Sequence, residues 1–261
     1  MTTFAQLHVP GTPLLMPNPW DAGSAKLLAS LGFKALATTS SGFAATLGRL
    51  DGSVSRDEAI EHSRTIAAAA GVPVSADLEN GFADDADGVA ETVRLAAGTG
   101  LAGCSIEDWS GEEIYEREHA AERVAAAAQA AHGGDASLVL TARAENHIRG
   151  RDDLADTIAR LQSFQEAGAD VLYAPGLKTL EQIREVVASV DRPVNVLALP
   201  GAPRVAELAQ AGVARISIGG GFAFVAMGAV AEASRELLQD GTYGFWQIAG
   251  AGVKAWRDAN A

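Results

Sequence analysis

Residues 67–82 read AAAAGVPVSADLENGF, and the order of features in that stretch decides the fold. A helical alanine run ends at Gly71, a short apolar run occupies Val72–Asp77, and two carboxylates, Asp77 and Glu79, stand at its far end. Glycine just past a helix supplies the left-handed residue that turns the chain back into a sheet. The same join recurs at 28–36 (LASLGFKAL), 164–173 (FQEAGADVLY) and 208–217 (LAQAGVARIS). Working outward, further apolar runs fall at Pro13–Pro17, Ala35–Thr39, Gly103–Glu107, Leu138–Arg143, Val171–Ala174, Val194–Leu197 and Arg215–Ile218. Longer Ala-rich stretches with charges at helical spacing separate them, the pattern of repeated βα units around a parallel sheet.

Eight units with no break in composition over 261 residues predict an α/β fold, one (β/α)8 TIM-type barrel spanning residues 1–261. No G-x-G-x-x-G follows the first strand, so a dinucleotide fold has no local support. After the eighth strand come a helical tail, Phe222–Leu238, and a stretch holding Phe245, Trp246 and Trp256. Such an apolar extra C-terminal helix is expected to pack on the barrel or on a neighbouring subunit.

Composition narrows the function. Hydrophobic residues make up 48% and charged residues 20%, enough for a globular core. A formal charge of −13 repels polyanions, which argues against nucleic acid or an anionic membrane as partner. It leaves open a small anion captured by one local arginine. The single cysteine, Cys104, permits no internal disulfide and no cysteine metal cluster. The start MTTFAQLHVPG lacks a basic segment followed by an apolar one, and no apolar run reaches membrane-spanning length, so a soluble cytoplasmic protein is expected.

Barrels of this kind build their active sites at the C-terminal strand ends. Polar residues gather there: NPWDAGSA after the first strand, TTSSGF after the second, ADLENGF after the third, SIEDW at the fourth and TARAEN at the fifth. Asp77 and Glu79, two apart, point the same way if the chain is extended. With Glu107 and Asp108 on the next strand they would repel strongly unless protonated or shared with a cation. Oxygen donors of this type suit Mg2+ or Mn2+. The competing explanation, acids favoured ahead of a helix N-terminus, accounts for less, because Asp84, Asp85 and Asp87 already serve that helix. Arg143 at a buried strand end needs an anionic partner. It is either a structural mate of Glu107 or Glu145, or a two-pronged clamp for a substrate carboxylate. Ser41 and Gly42 offer a hydroxyl and backbone N–H groups to a developing oxyanion, or form a plain turn.

These strand ends, in this order, resemble the isocitrate lyase and phosphoenolpyruvate mutase superfamily. The resemblance runs through NPWDAGSAKLL (18–28), ATTSSGFAATLGRLDG (37–52), VSADLENGF (74–82), GCSIEDW (103–109), LTARAEN (140–146) and EAGADVLYAPG (166–176). It implies a barrel whose C-terminal helix is exchanged between subunits in a homodimer or homotetramer. It also implies a Mg2+-bound 2-oxo or 2-hydroxy carboxylate that passes through an enolate-like state. On that resemblance Asp77 is the principal metal ligand, with Glu79 and Glu107 holding metal-bound waters and Asp51 near the water shell. Arg143 takes the substrate carboxylate, and Ser41 with Gly42 holds the keto oxygen side. Trp20, Asp21, Phe43 and Tyr173 are the expected substrate-side residues, and His147 is either a candidate acid or base, its ordinary pKa near ~6.5 suiting proton transfer, or a surface histidine in ENHIRGRDD.

The chain departs from the superfamily's lyases after the fourth strand. Those enzymes carry K-K-C-G-H there, whereas this loop reads SGEEIYEREHAAER (110–123). Cys104 lies inside the strand and cannot substitute. Glu112, Glu113, Tyr115 and His119 are either proton donors or a solvated helix start. The reactions expected are decarboxylation or retro-aldol cleavage of a 2-oxo acid. The alternatives are P–C bond chemistry of the mutase or phosphonopyruvate hydrolase type, and a barrel that only binds a small acid. A Schiff-base aldolase is disfavoured, since of Lys26, Lys34, Lys178 and Lys254 only Lys178 lies near a strand end. A phosphate cradle at Gly219–Gly221 competes with a tight turn, which is favoured.

Overall fold

A computed structural model describes residues 3–134 and 137–261; Met1 and Thr2 of the quoted N-terminal stretch lie outside the described residues. Eight parallel strands form the barrel: β1 (Leu14–Met16), β2 (Leu36–Ala37), β3 (Val74–Asp77), β4 (Gly103–Glu107), β5 (Val139–Arg143), β6 (Val171–Tyr173), β7 (Val194–Leu197) and β8 (Arg215–Ser217). They pair in the order β1-β8-β7-β6-β5-β4-β3-β2. Between β1 and β2 the closure is a backbone bond in which Ala37 N–H donates to Pro17 O at 3.1 Å. The predicted bounds of β4 and β7 match; β2 is shorter than read, although Thr38 N–H still donates to Ser75 O at 2.9 Å and Thr39 stays extended as the N-cap of the next helix.

The helices are α1 (Ala22–Ser30), α2 (Ser40–Thr46), α3 (Arg56–Ala70), α4 (Ala86–Ala97), α5 (Arg117–His132), α6 (Leu154–Glu166), α7 (Leu180–Ser189), α8 (Val205–Gln210), α9 (Gly221–Arg235) and α10 (Trp246–Asp258). The four glycines read as helix ends, Gly32, Gly71, Gly168 and Gly212, all have positive φ, between 67° and 104°. Each lies where a side chain would be strained, which is why glycine stands there.

The apolar core is split. A large cluster lies between sheet and helices, with Leu36, Val74, Ile106, Leu140, Leu172 and Val196 facing outward onto residues such as Ile66, Val93 and Phe164. A small one plugs the barrel floor, where Phe4 meets Leu14, Met16, Val139 and Val171. Gly103 makes room for the plug, since a Cβ there would fall 2.8 Å from the Phe4 ring and 2.7 Å from Val139 O. Above the plug the interior is polar. Strand register aligns Glu107, Arg143, Tyr173, Asn195 and Arg215 in one row across five strands. Barrel strands are tilted and staggered, so the row descends from the rim, at the last residue of β4, to the first residue of β8.

The tail forms α9, a π-helical turn at Glu236–Asp240, and α10. Helix α9 buries only Ala223 and exposes Phe222, Phe224, Val225, Met227 and Val230. Among the described residues no helix is long and apolar enough to cross a membrane.

Candidate functional site

Two cavities open at the C-terminal strand ends and share Ser40 and Asp51 in their walls. The first, about 410 Å3, descends the barrel axis past Asn18, Asp77, Arg143 and Tyr173 to Arg215. The second, about 390 Å3, lies beside it and is lined by Glu79, Glu107, Trp109 and Arg149.

Asp77 ends β3 between two donors. Its Oδ2 accepts from Ser40 Oγ at 3.0 Å and from Ser40 N at 3.3 Å, and its Oδ1 accepts from Arg143 Nη1 at 3.0 Å. Its own N–H donates to Thr38 Oγ1 at 2.8 Å, locking strand to loop. Glu79 does not continue the strand: with φ of 48° it turns left-handed after the buried Leu78. The extended geometry expected of the pair is therefore corrected: Asp77 lines the first cavity and Glu79 the second, and both border a small void against Phe43 and His62. The Glu79 carboxyl is pushed up to about 7 by burial and by repulsion from Asp77 and Asp51.

Arg143 is held by three carboxylates. Nη2 lies 3.0 Å from Glu107 Oε2 and 3.0 Å from Glu145 Oε1, besides the bond to Asp77. Burial opposes its charge, but the surrounding Glu107, Glu145 and Asp77 outweigh burial and hold the guanidinium protonated. Arg149, stacked 4.5 Å over Trp109, adds longer contacts to Glu107 (3.5 Å) and Glu145 (3.4 Å). Tyr173 packs under Arg143, and burial pushes its hydroxyl up to about 12.

The other residues picked out in the sequence divide. Ser41 lines the first cavity, its Oγ 3.1 Å from Thr39 Oγ1. Gly42 does not, because its N–H donates to Thr39 Oγ1, the cap of α2; a Cβ there would strike Thr39, Ala223 and Trp20. Asp51 is exposed at the junction of the two cavities. Asp21 caps α1, accepting from Ser24 N at 2.6 Å, and the Trp20 N–H bonds the same serine. Phe43 stacks on His62 at 3.8 Å behind the site. His147 is buried with Nδ1 against Asp152 Oδ1 (2.9 Å) and does not line either cavity.

The loop candidates are taken up structurally. Tyr115 OH donates to Asp84 Oδ1 at 2.5 Å, and His119 Nε2 bonds Asp84 O. Beneath Tyr115 the buried Arg123 donates to the backbone carbonyls of Asn80, Ala83, Asp84 and Glu107. Glu112 and Glu113 are exposed and do not line either cavity. Neither cavity is lined by lysine, cysteine or histidine among the described residues. Sequence reasoning missed Ser40, Asn18 and Arg215. The serine was legible as the residue after a Thr cap; Arg215 shows only through barrel register, and Asn18 only through its bonds to Thr38 O and Ile218 N.

Among the described residues no three His, Cys, Asp or Glu side chains gather closely enough to cage a metal. The donor set is nonetheless hard oxygen throughout, and Glu79 sits beside Asp77 and Asp51 with too little positive charge to offset them. That fits Mg2+ taken through one or two carboxylates and several waters, the usual habit of this ion. It does not fit a dry all-protein cage.

The family model described as phosphoenolpyruvate phosphomutase matches residues 4–238. An uncharacterized protein of Mycobacterium tuberculosis is 33% identical over 222 residues, covering 83% of this chain and 81% of that one. Oxaloacetate decarboxylase 2 of Pseudomonas fluorescens is 30% identical over 199 residues, covering 72% of this chain and 66% of the enzyme. The crystal structure of a Burkholderia cenocepacia protein, described provisionally as a lyase/mutase, aligns with TM-score 0.95 at 48% identity over 99% of this chain and 95% of that one. A phosphonopyruvate hydrolase complexed with oxalate and Mg2+ aligns with TM-score 0.80 at 25% identity, over 92% and 87% of the two chains.

Proposed function

The chain belongs to the phosphoenolpyruvate phosphomutase family, and from that premise we propose that it is a Mg2+- or Mn2+-dependent lyase cleaving a C–C bond of a small 2-oxo or 2-hydroxy carboxylate. The observation that carries this is Asp77, fixed between Ser40 and Arg143 at the mouth of an axial cavity without lysine or cysteine in its lining. A site so furnished works by charge and position, without a covalent nucleophile. The oxaloacetate decarboxylase relative and the Mg2+–oxalate complex of the structural neighbour support the same reading.

Asp77 would hold the ion, with Glu79, Glu107 and Asp51 placed to hold its waters. When bound, the ion supplies a Lewis acid for the oxygen on which charge collects as the neighbouring carbon bond breaks. Arg143 fixes Asp77, Glu107 and Glu145 relative to one another and turns part of its charge toward a substrate carboxylate. Tyr173 keeps its proton, so its hydroxyl can donate to an anionic oxygen. With Tyr115 and His119 committed elsewhere, the groups able to hold a proton at the cavities include the Tyr173 hydroxyl and the Glu79 and Glu107 carboxyls, all three raised by burial.

Purified protein with Mg2+ should turn over oxaloacetate or 2,3-dimethylmalate, and Asp77→Asn should abolish it. Turnover of phosphonopyruvate alone would replace the reading with P–C chemistry. Binding of Mg2+ and oxalate without turnover of any of the three would make the chain a binding barrel. Full activity in Asp77→Asn would remove the metal assignment. The reading includes a homodimer or homotetramer with α9 exchanged between copies, supported by the exposed apolar side of that helix.

A further inference from the structure

Arg215 is 3% exposed and lies inside the barrel at the foot of the polar row, yet it lines the axial cavity. Its bonds all go to neutral groups: Nε donates to Asn195 Oδ1 at 3.0 Å, and Nη1 donates to Thr141 Oγ1 at 3.1 Å and to His8 Nε2 at 3.4 Å. The His8 ring is neutral, since Nδ1–H donates to Phe4 O at 3.0 Å, leaving Nε2 as the acceptor. Burial brings the guanidinium down to about 10, still well above neutrality, so it carries its full charge. No carboxylate reaches it among the described residues, in contrast to Arg143, which has three.

A buried guanidinium without an acid is costly. The cavity is accordingly polarised, with carboxylates at its rim and an uncompensated cation at its floor. Arg215 sits two residues before the end of β8, so at ~3.3 Å per strand residue it lies about 7 Å below the strand end. That depth suits the far end of a four- or five-carbon acid whose head is held at the rim. Ser217, on the same face of β8, accepts from Asn195 Nδ2 at 3.0 Å and offers a hydroxyl next to the guanidinium.

We propose that Arg215, with Asn195 and Ser217, is a floor subsite for the second carboxylate of a dicarboxylic substrate. The proposal rests on the rim being the metal-dependent carboxylate site argued above. Specificity for two carboxylates over one then comes from a cation in the barrel interior and not from any loop.

The test compares two 2-hydroxy acids of identical head group, lactate with one carboxylate and malate with two, by calorimetry on the full chain with Mg2+. Oxalate with Mg2+, too short to reach the floor, reports on the rim alone. The wild type should prefer malate over lactate by about tenfold or more, a difference of about 1.4 kcal/mol. Arg215→Gln should bring the two within about threefold. Asn195→Asp places an acid beside the guanidinium without removing it, and should erase the preference even if Arg215→Gln does not fold. A preference unchanged in the folded variants would make Arg215 a spacer and overturn the proposal. So would a wild type that binds Mg2+ and oxalate but does not favour malate. A wild type that fails to bind Mg2+ and oxalate overturns the rim reading and the floor subsite with it.

Discussion

Acid should loosen this barrel from its floor. His8 is buried against Phe4 and Arg215, and burial, reinforced by the Arg215 charge, lowers its pKa from 6.5 to about 4. The folded state thus resists protonation of a ring that the unfolded chain protonates readily. Stability from this group is complete above the unfolded value near 6.5 and is lost as pH falls toward about 4. A gap of about 2.5 pH units, at 1.36 kcal/mol per unit, corresponds to about 3 kcal/mol. The perturbation is His8→Gln, which keeps a polar group toward Arg215 but cannot titrate. Urea unfolding at fixed protein concentration, from about pH 7 to about pH 4, gives the difference between wild type and variant. The carboxylates titrate in both proteins and largely cancel in that difference. The wild type should lose about 3 kcal/mol relative to the variant across the window. Parallel curves would refute the reasoning, and with it the claim that the floor of the barrel is positively charged.

Two further outcomes follow from the geometry. Arg143→Ala leaves Glu107 and Glu145 buried side by side, and should cost about 3–5 kcal/mol in denaturant unfolding; a loss below about 1 kcal/mol would show that Arg149 alone suffices. Val225→Glu combined with Val230→Glu should convert the multimer expected by light scattering into single copies. A wild type that is already monomeric would refute the helix-exchange reading.

The strands were readable because four of the apolar runs follow a glycine turn and several end in polar residues, so each such run ends where a chemical need begins. Asp77 and Arg143 could be picked out for the same reason: charges at the ends of apolar runs have few bland explanations. Glu79 was misread in direction, because a non-glycine residue at positive φ leaves no mark in the sequence. Asp21 was placed near the substrate, although D-x-x-S ahead of a helix is also a capping pattern, and it caps α1. Arg215 was passed over because the sequence does not reveal the stagger of a barrel. Only register shows that VNV and ARIS place Asn195 and Arg215 beneath Tyr173. Arg123 gave no signal either, since an arginine in a helix that binds three loop carbonyls and the last carbonyl of β4 looks in sequence like any surface arginine.

That clamp has a kinetic consequence. By gripping Asn80, Ala83, Asp84 and Glu107 at once, Arg123 fastens the loop after β3 to the end of β4. A loop so fastened cannot swing open and shut with each turnover, so this side of the mouth behaves as a fixed doorframe. On the opposite side Gly219–Gly221 and Phe224 of α9 border the first cavity. If copies associate through α9, a neighbouring copy stands beside that border of each barrel's mouth.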